Sequence, residues 1–202
     1  MRVLSDSDYK LFERLVSLSQ KELKKAMSQY LKAKYDNVIF TKDYLVAIGD
    51  IPVALVAHLD TVYRTPVSNL YYDQRKGVLW SPDGLGADDR AGIFAVLKIL
   101  QDGYRPSVIF TTDEEIGMIG ATKLDTSILT GKKMINIDSE EDDTVTVSCA
   151  GGSDFQAVLN VKRETHTGNE IVISISGLLG GGAPRQKGKN KQQEKSFHRI
   201  YL

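Results

Sequence analysis

Apolar residues recur every three or four positions over residues 5–34, with Leu11, Phe12, Leu15 and Val16 on one face. That spacing predicts a helix, and Ser19-Gln-Lys-Glu22 is a capping-box pattern that starts a second. Leu23, Met27, Tyr30 and Leu31 give the second helix its apolar side, and the pair is read as packing structure without chemistry. The period then shortens. Val38–Phe40 and Tyr44–Ile48 are strand-like and flank a turn at Thr41–Asp43, which predicts a hairpin. An apolar run, Val53–Ala57, predicts a buried strand. Residues 70–72 and 77–80 predict a second small hairpin. A glycine-rich stretch, Gly84–Gly92, leads into a helix with Phe94, Leu97, Ile99 and Leu100 on its core side. Pro106–Phe110 and Lys133–Ile137 are two more apolar strands. Thr144–Ser148, Phe155–Val161 and Glu170–Ser176 read as antiparallel strands with little helix between them. The alternation predicts an α/β fold: a three-layer αβα sandwich whose mixed sheet is mostly parallel.

Each central apolar strand ends in acids. Val53–Ala57 runs into His58 and Asp60, and alternation along a strand points positions i and i+2 the same way. A neutral imidazole is a good zinc ligand, and a carboxylate two residues on can fix its tautomer. Gly84–Gly92 contains Asp88 and Asp89. Residues 106–110 lead to Asp113-Glu114-Glu115, and residues 133–137 lead to Asp138. Loops at strand ends are where sites assemble in open α/β sheets. One histidine with several carboxylates there makes a site for Zn²⁺, Mn²⁺ or Co²⁺. Adjacent Glu114 and Glu115 point in different directions, so one can bind metal while the other moves protons. Asp88 could instead only cap its helix. A nucleotide loop fits poorly: the spacing is neither Gly-x-Gly-x-x-Gly nor a Walker pattern, and Asp83, Asp88 and Asp89 would repel phosphate.

Composition narrows the picture modestly. The chain of 202 residues has zero formal net charge, 42% hydrophobic and 26% charged residues. Nothing global points to nucleic acid or an anionic membrane. No run is long enough for a membrane span and no signal peptide opens the chain. Cys149 is the one cysteine, which excludes an intrachain disulfide and fits a cytoplasmic setting. The last stretch, 181–202, carries Arg185, Lys187, Lys189, Lys191, Lys195 and Arg199 against Glu194, and reads as a disordered basic tail.

Four segments together resemble the co-catalytic zinc exopeptidase clan, within it the family of aminoacylase, peptidase T and aminoacylhistidine dipeptidase. They are Ala57–Val62, Gly86–Gly92, Thr112–Met118 and Asn136–Glu141, in family order. The resemblance implies a metallopeptidase that hydrolyses dipeptides or short peptides, with small peptides as partners. It implies two divalent ions, zinc first, with manganese or cobalt as alternatives. His58 and Asp138 would ligate one ion, Glu115 the other, and Asp88 would bridge them. Asp60 would orient His58, and Glu114 would be the general base. The family has a further metal-binding histidine late in a longer chain and a Gly-Gly-His motif in an inserted lid. No histidine here matches the first, and Ile173–Gly181 approaches the second before becoming Gly182-Ala-Pro-Arg185. The expected organisation is therefore a catalytic α/β domain at 1–150, partial lid strands at 151–180 and the tail at 181–202. A frameshift would explain the tail. The second metal site is expected to be incomplete, and the competing expectation is a truncated, non-catalytic metal-binding remnant. An unpaired sheet edge would favour a homo-oligomer.

Overall fold

The computed structural model describes residues 4–139 and 144–147. The chain divides into two compact units, Met1–Asp142 and Asp143–Leu202. All elements described below belong to the first.

Two helices open the fold, α1 (Asp6–Val16) and α2 (Gln20–Lys32). Ser5 caps α1 through the Asp8 amide. Ser19 and Glu22 form the reciprocal capping box that the sequence predicts for α2. The strands are β1 (Val38–Phe40), β2 (Tyr44–Ala47), β3 (Val53–His58), β4 (Tyr71–Asp73) and β5 (Val78–Trp80). Helix α3 (Ala87–Gln101) follows, then β6 (Ser107–Thr111), the short α4 (Ile119–Thr122), a 3₁₀ turn at Thr126–Leu129, and β7 (Lys133–Asn136).

The main sheet has the order β1-β2-β6-β3-β7, and β4 pairs with β5 as a separate hairpin. The β1–β2 and β2–β6 pairs are antiparallel, whereas β3 pairs in parallel with both β6 and β7. Strands β3 and β6 are joined through α3, so their C-terminal ends lie side by side. His58 stands opposite Thr111 in that register. This is the α/β fold expected, with a mixed sheet and parallel strands at its centre.

Sheet alternation explains the two faces. Leu45, Ala47, Leu55, Ala57, Val108 and Phe110 pack toward the three long helices, against Leu23, Leu31, Ile93 and Val96. The intervening Val46, Ala54 and Ile109 face the other way, toward Leu124, Ile128 and Leu129 of the α4 and 3₁₀ region. All five residues of β6 are buried, which its uninterrupted apolar run requires of a strand covered on both faces. At the other extreme, all four residues of β7 are exposed, Met134 and Ile135 among them.

Two details depart from the sequence reading. The buried positions of α3 include Ile93 and Val96, with Phe94 and Ile99 only partly covered. Phe94 meets Phe12 edge to face, with ring centroids 5.9 Å apart, in a smaller cluster under α1. Residues 144–147 form no strand. The remainder of the expected strands at 148, 155–161 and 170–176, the lid segment and the basic tail lie outside the described residues.

Candidate metal centre

Three parallel strands deliver their acids to one end of the sheet. His58 is the last residue of β3 and is 2% exposed. The Leu59 amide still donates to Thr111 O, at 2.9 Å, so strand pairing carries one residue past His58. Glu114 and Glu115 follow β6, and Asp138 lies two residues beyond β7. Asp88 comes from the opening of α3, which sits across the β3–β6 crossover.

The ring of His58 is the centre of the cluster. Nε2 lies 2.9 Å from Asp88 Oδ1 and 3.9 Å from both Glu114 Oε2 and Asp138 Oδ2. Nδ1 faces Asp60 Oδ1 at 3.4 Å, a long contact, and has no other partner. His58, Asp88 and Glu115 place ligand atoms within 4.8 Å of one another, a group that could hold a metal ion. The structure thus brings together all six residues expected at the site. Among the described residues, the ion pairs made by Asp60, Asp88, Glu114 and Asp138 all run to His58, with no lysine or arginine among them.

The electrostatics follow from that crowding. Burial alone would depress the His58 pKa. The Asp60 and Asp88 contacts and the Asp138 charge outweigh it and raise the pKa to about 9. Burial and the Asp88 charge raise Glu115. Burial raises Asp138, with Asp88 and Glu114 adding to it against the pull of His58. For Asp60, burial acts upward, but His58 and the Glu114 and Glu115 amides bring its pKa below the ordinary value. These acids repel one another, and one imidazole cannot balance them. A divalent cation would, and the oxygen-rich donor set with one nitrogen suits zinc, manganese or cobalt.

Asp60 does more than the sequence suggested. Its two oxygens accept the backbone N–H groups of Glu114 and Glu115, each at 3.0 Å. One carboxylate therefore braces both the imidazole and the peptide that carries the two glutamates.

Asp89, noted in the sequence as part of the acidic pair, was given no role of its own there. It is 3% exposed, accepts the His58 amide at 3.2 Å and the Gly92 amide at 2.9 Å. Asp88 and Asp89 have non-helical backbone angles, and their peptide bond is cis. Capping of the regular helix thus falls to Asp89, three residues before Gly92, leaving Asp88 free to face His58. Glycine at 92 leaves room for this contact, since a Cβ there would run into the Asp89 carboxylate. Burial, reinforced by the Asp138 charge, raises Asp89 to about 7. The one sequence cue was the adjacent acid pair itself, since the Asp89 contacts are to backbone amides.

Beside the cluster opens a cavity of about 530 Å³, lined among others by Asp60, Glu115, Leu18, Tyr63, Arg64 and Arg90. Arg90 is buried and donates to Leu15 O at 3.3 Å and Leu18 O at 3.2 Å.

No family model matches the sequence. Over 145 residues the chain is 34% identical to the cytosol non-specific dipeptidase of Escherichia coli K12, a match covering 64% of this chain and 30% of that protein. Among solved structures it is similar to a tripeptidase from Staphylococcus aureus, with TM-score 0.57 and 23% identity over 70% of this chain and 45% of that one. An aminoacylhistidine dipeptidase from Vibrio alginolyticus matches with TM-score 0.53 and 23% identity, over 69% and 34% of the two chains. The aminopeptidase PepT from Bacillus cereus matches with TM-score 0.53 and 20% identity, over 69% and 44%. The chain thus spans less than half the length of each of these relatives.

Proposed function

We propose that this chain, related to the zinc exopeptidases that include aminoacylhistidine dipeptidase and peptidase T, supplies the metal-binding part of a peptidase acting on dipeptides or short peptides. The observation that carries the reading is the convergence of one buried imidazole and five carboxylates, with no lysine or arginine ion pair to them among the described residues. His58 and Asp138 would hold one ion, Glu115 a second, and Asp88 would bridge them. Bound divalent ions would polarise the scissile carbonyl and bring the pKa of a water toward ~7.

The protein groups have separate tasks around that chemistry. Asp60 keeps the His58 ring turned with Nε2 toward the acids, and fixes the 114–115 peptide with its other contacts. Glu114, partly exposed and close to His58, would take a proton from water and return it to the departing amine. The cavity beside Glu115 has room for a substrate side chain next to the reacting bond. Among the described residues Asp88 and Glu115 are the only acids assigned to the second ion, so that ion should bind more weakly than the first. A cytosolic setting fits the dipeptidase it resembles.

Metal analysis combined with a dipeptide hydrolysis assay tests this reading. The expected result is stoichiometric divalent metal in the purified chain. With it should come turnover that falls on the order of 10²- to 10⁴-fold in Glu114→Ala while metal content is retained. A chain that takes up no zinc, manganese or cobalt would refute it. A chain that binds metal yet never turns over a peptide would instead support the non-catalytic remnant.

A further inference from the structure

The peptide that presents Glu114 and Glu115 is held from both sides, and one of the two holds comes from helix α2. Gln20, the first residue of α2, donates from Nε2 to Asp113 Oδ1 at 2.9 Å, and its Oε1 accepts the Asp113 amide at 3.1 Å. Asp113 has φ of 56°, in the left-handed region where an ordinary side chain is disfavoured and Asp or Asn is best tolerated. It lies two residues beyond the end of β6 and directly before Glu114. Three successive amides, of residues 113, 114 and 115, thus find side-chain acceptors: one on Gln20 and two on Asp60. Upstream, Thr112 is fixed to Asp43 O through both its amide and its hydroxyl.

We propose that Gln20 is a positioning residue for the Glu114–Glu115 pair, acting through the two-way amide contact with Asp113. This rests on the reading of Glu114 and Glu115 as metal-site groups. An amide side chain suits the task because it offers a donor and an acceptor at once. A residue with only one of these would satisfy either the Asp113 carboxylate or its N–H, never both. With Gln20 in place, the left-handed turn has one arrangement in which all three amides are satisfied. Without it, the Asp113 amide loses its partner and the peptide can rotate away from Asp60.

The test uses the full chain with Gln20→Ala, Asp113→Ala and the conservative Asp113→Asn, which keeps an acceptor for Gln20 and tolerates the same φ. Amide hydrogen exchange of the metal-free proteins reads the positioning directly. In Gln20→Ala and Asp113→Ala the amides of residues 114 and 115 should exchange about tenfold faster, with Val108–Phe110 unchanged. Asp113→Asn should match the parent chain. Cobalt titration followed by visible absorption is the second readout, with affinity falling about 10- to 100-fold in the two alanine variants and recovering in Asp113→Asn. Unchanged exchange at 114 and 115 overturns the inference, and so does faster exchange spread evenly through β6 and α3. A parent chain that binds no cobalt, zinc or manganese, with the exchange pattern as expected, leaves the inference standing and removes the peptidase reading.

Discussion

At the scale of single residues, His58 controls how the site responds to pH. Its pKa in the metal-free fold, about 9, lies above the ordinary 6.5. A group raised in this way stabilises the fold fully below its unfolded pKa, and the contribution is lost as pH rises through the folded one. Asp89, raised from 3.8 to about 7, acts in the same direction over a lower range. The metal-free chain should therefore lose stability as pH climbs from about 6.5 to about 9, and His58→Gln should flatten that slope in denaturant unfolding. Metal needs a bare Nε2, so its uptake near neutral pH must expel a proton. Calorimetry in two buffers of different ionisation enthalpy should return about one proton released per ion at His58. That the six expected side chains would converge was legible because each sits at the end of an apolar run or in a glycine-rich loop. Gln20 and Asp89 were not. They work through backbone amides or through a partner far along the chain, and no spacing rule encodes such contacts.

Among the elements, β6 is the best-determined by its own sequence. Val108, Ile109 and Phe110 are all fully buried, as an apolar run without alternation requires. Phe110→Ala should cost about 3–5 kcal/mol in denaturant unfolding, the range for a large aromatic removed from a close-packed interior. Helix α3 was less legible. Apolar residues at 93, 94, 96, 97, 99 and 100 surround much of the helix, so periodicity alone could not choose the buried side. Its first turn was also obscured, because the regular helix begins only after Asp89. Gly92→Ala addresses that turn. The added methyl collides with the Asp89 carboxylate, and overpacking of this kind should cost about 1–3 kcal/mol. Metal affinity should fall with it, since Asp89 also holds the His58 amide.

For the whole molecule, the two edges of the main sheet differ in how far they are covered. Strands β1 and β7 are its outer strands, neither with a further strand beyond it among the described residues; β1 is partly covered at Val38 and Ile39, whereas all four residues of β7 are exposed. Met134 and Ile135 are more than half exposed on that strand, and bare apolar edges of this kind recruit other strands. Sedimentation should show concentration-dependent self-association, and Ile135→Lys should shift the population toward monomer.

The guanidinium of Arg90 has a consequence for how the molecule could be divided. It follows directly on the Asp88–Asp89 pair, yet it grips carbonyls at Leu15 and Leu18, where α1 hands over to α2. A shortened chain beginning at Asp36 would still contain all four motifs, intact and in order. It would have lost the abutment against which that buried cation leans, and with it the scaffolding behind the acidic cluster. Possession of the full set of recognisable signatures is therefore a poor guide to the minimal competent fragment.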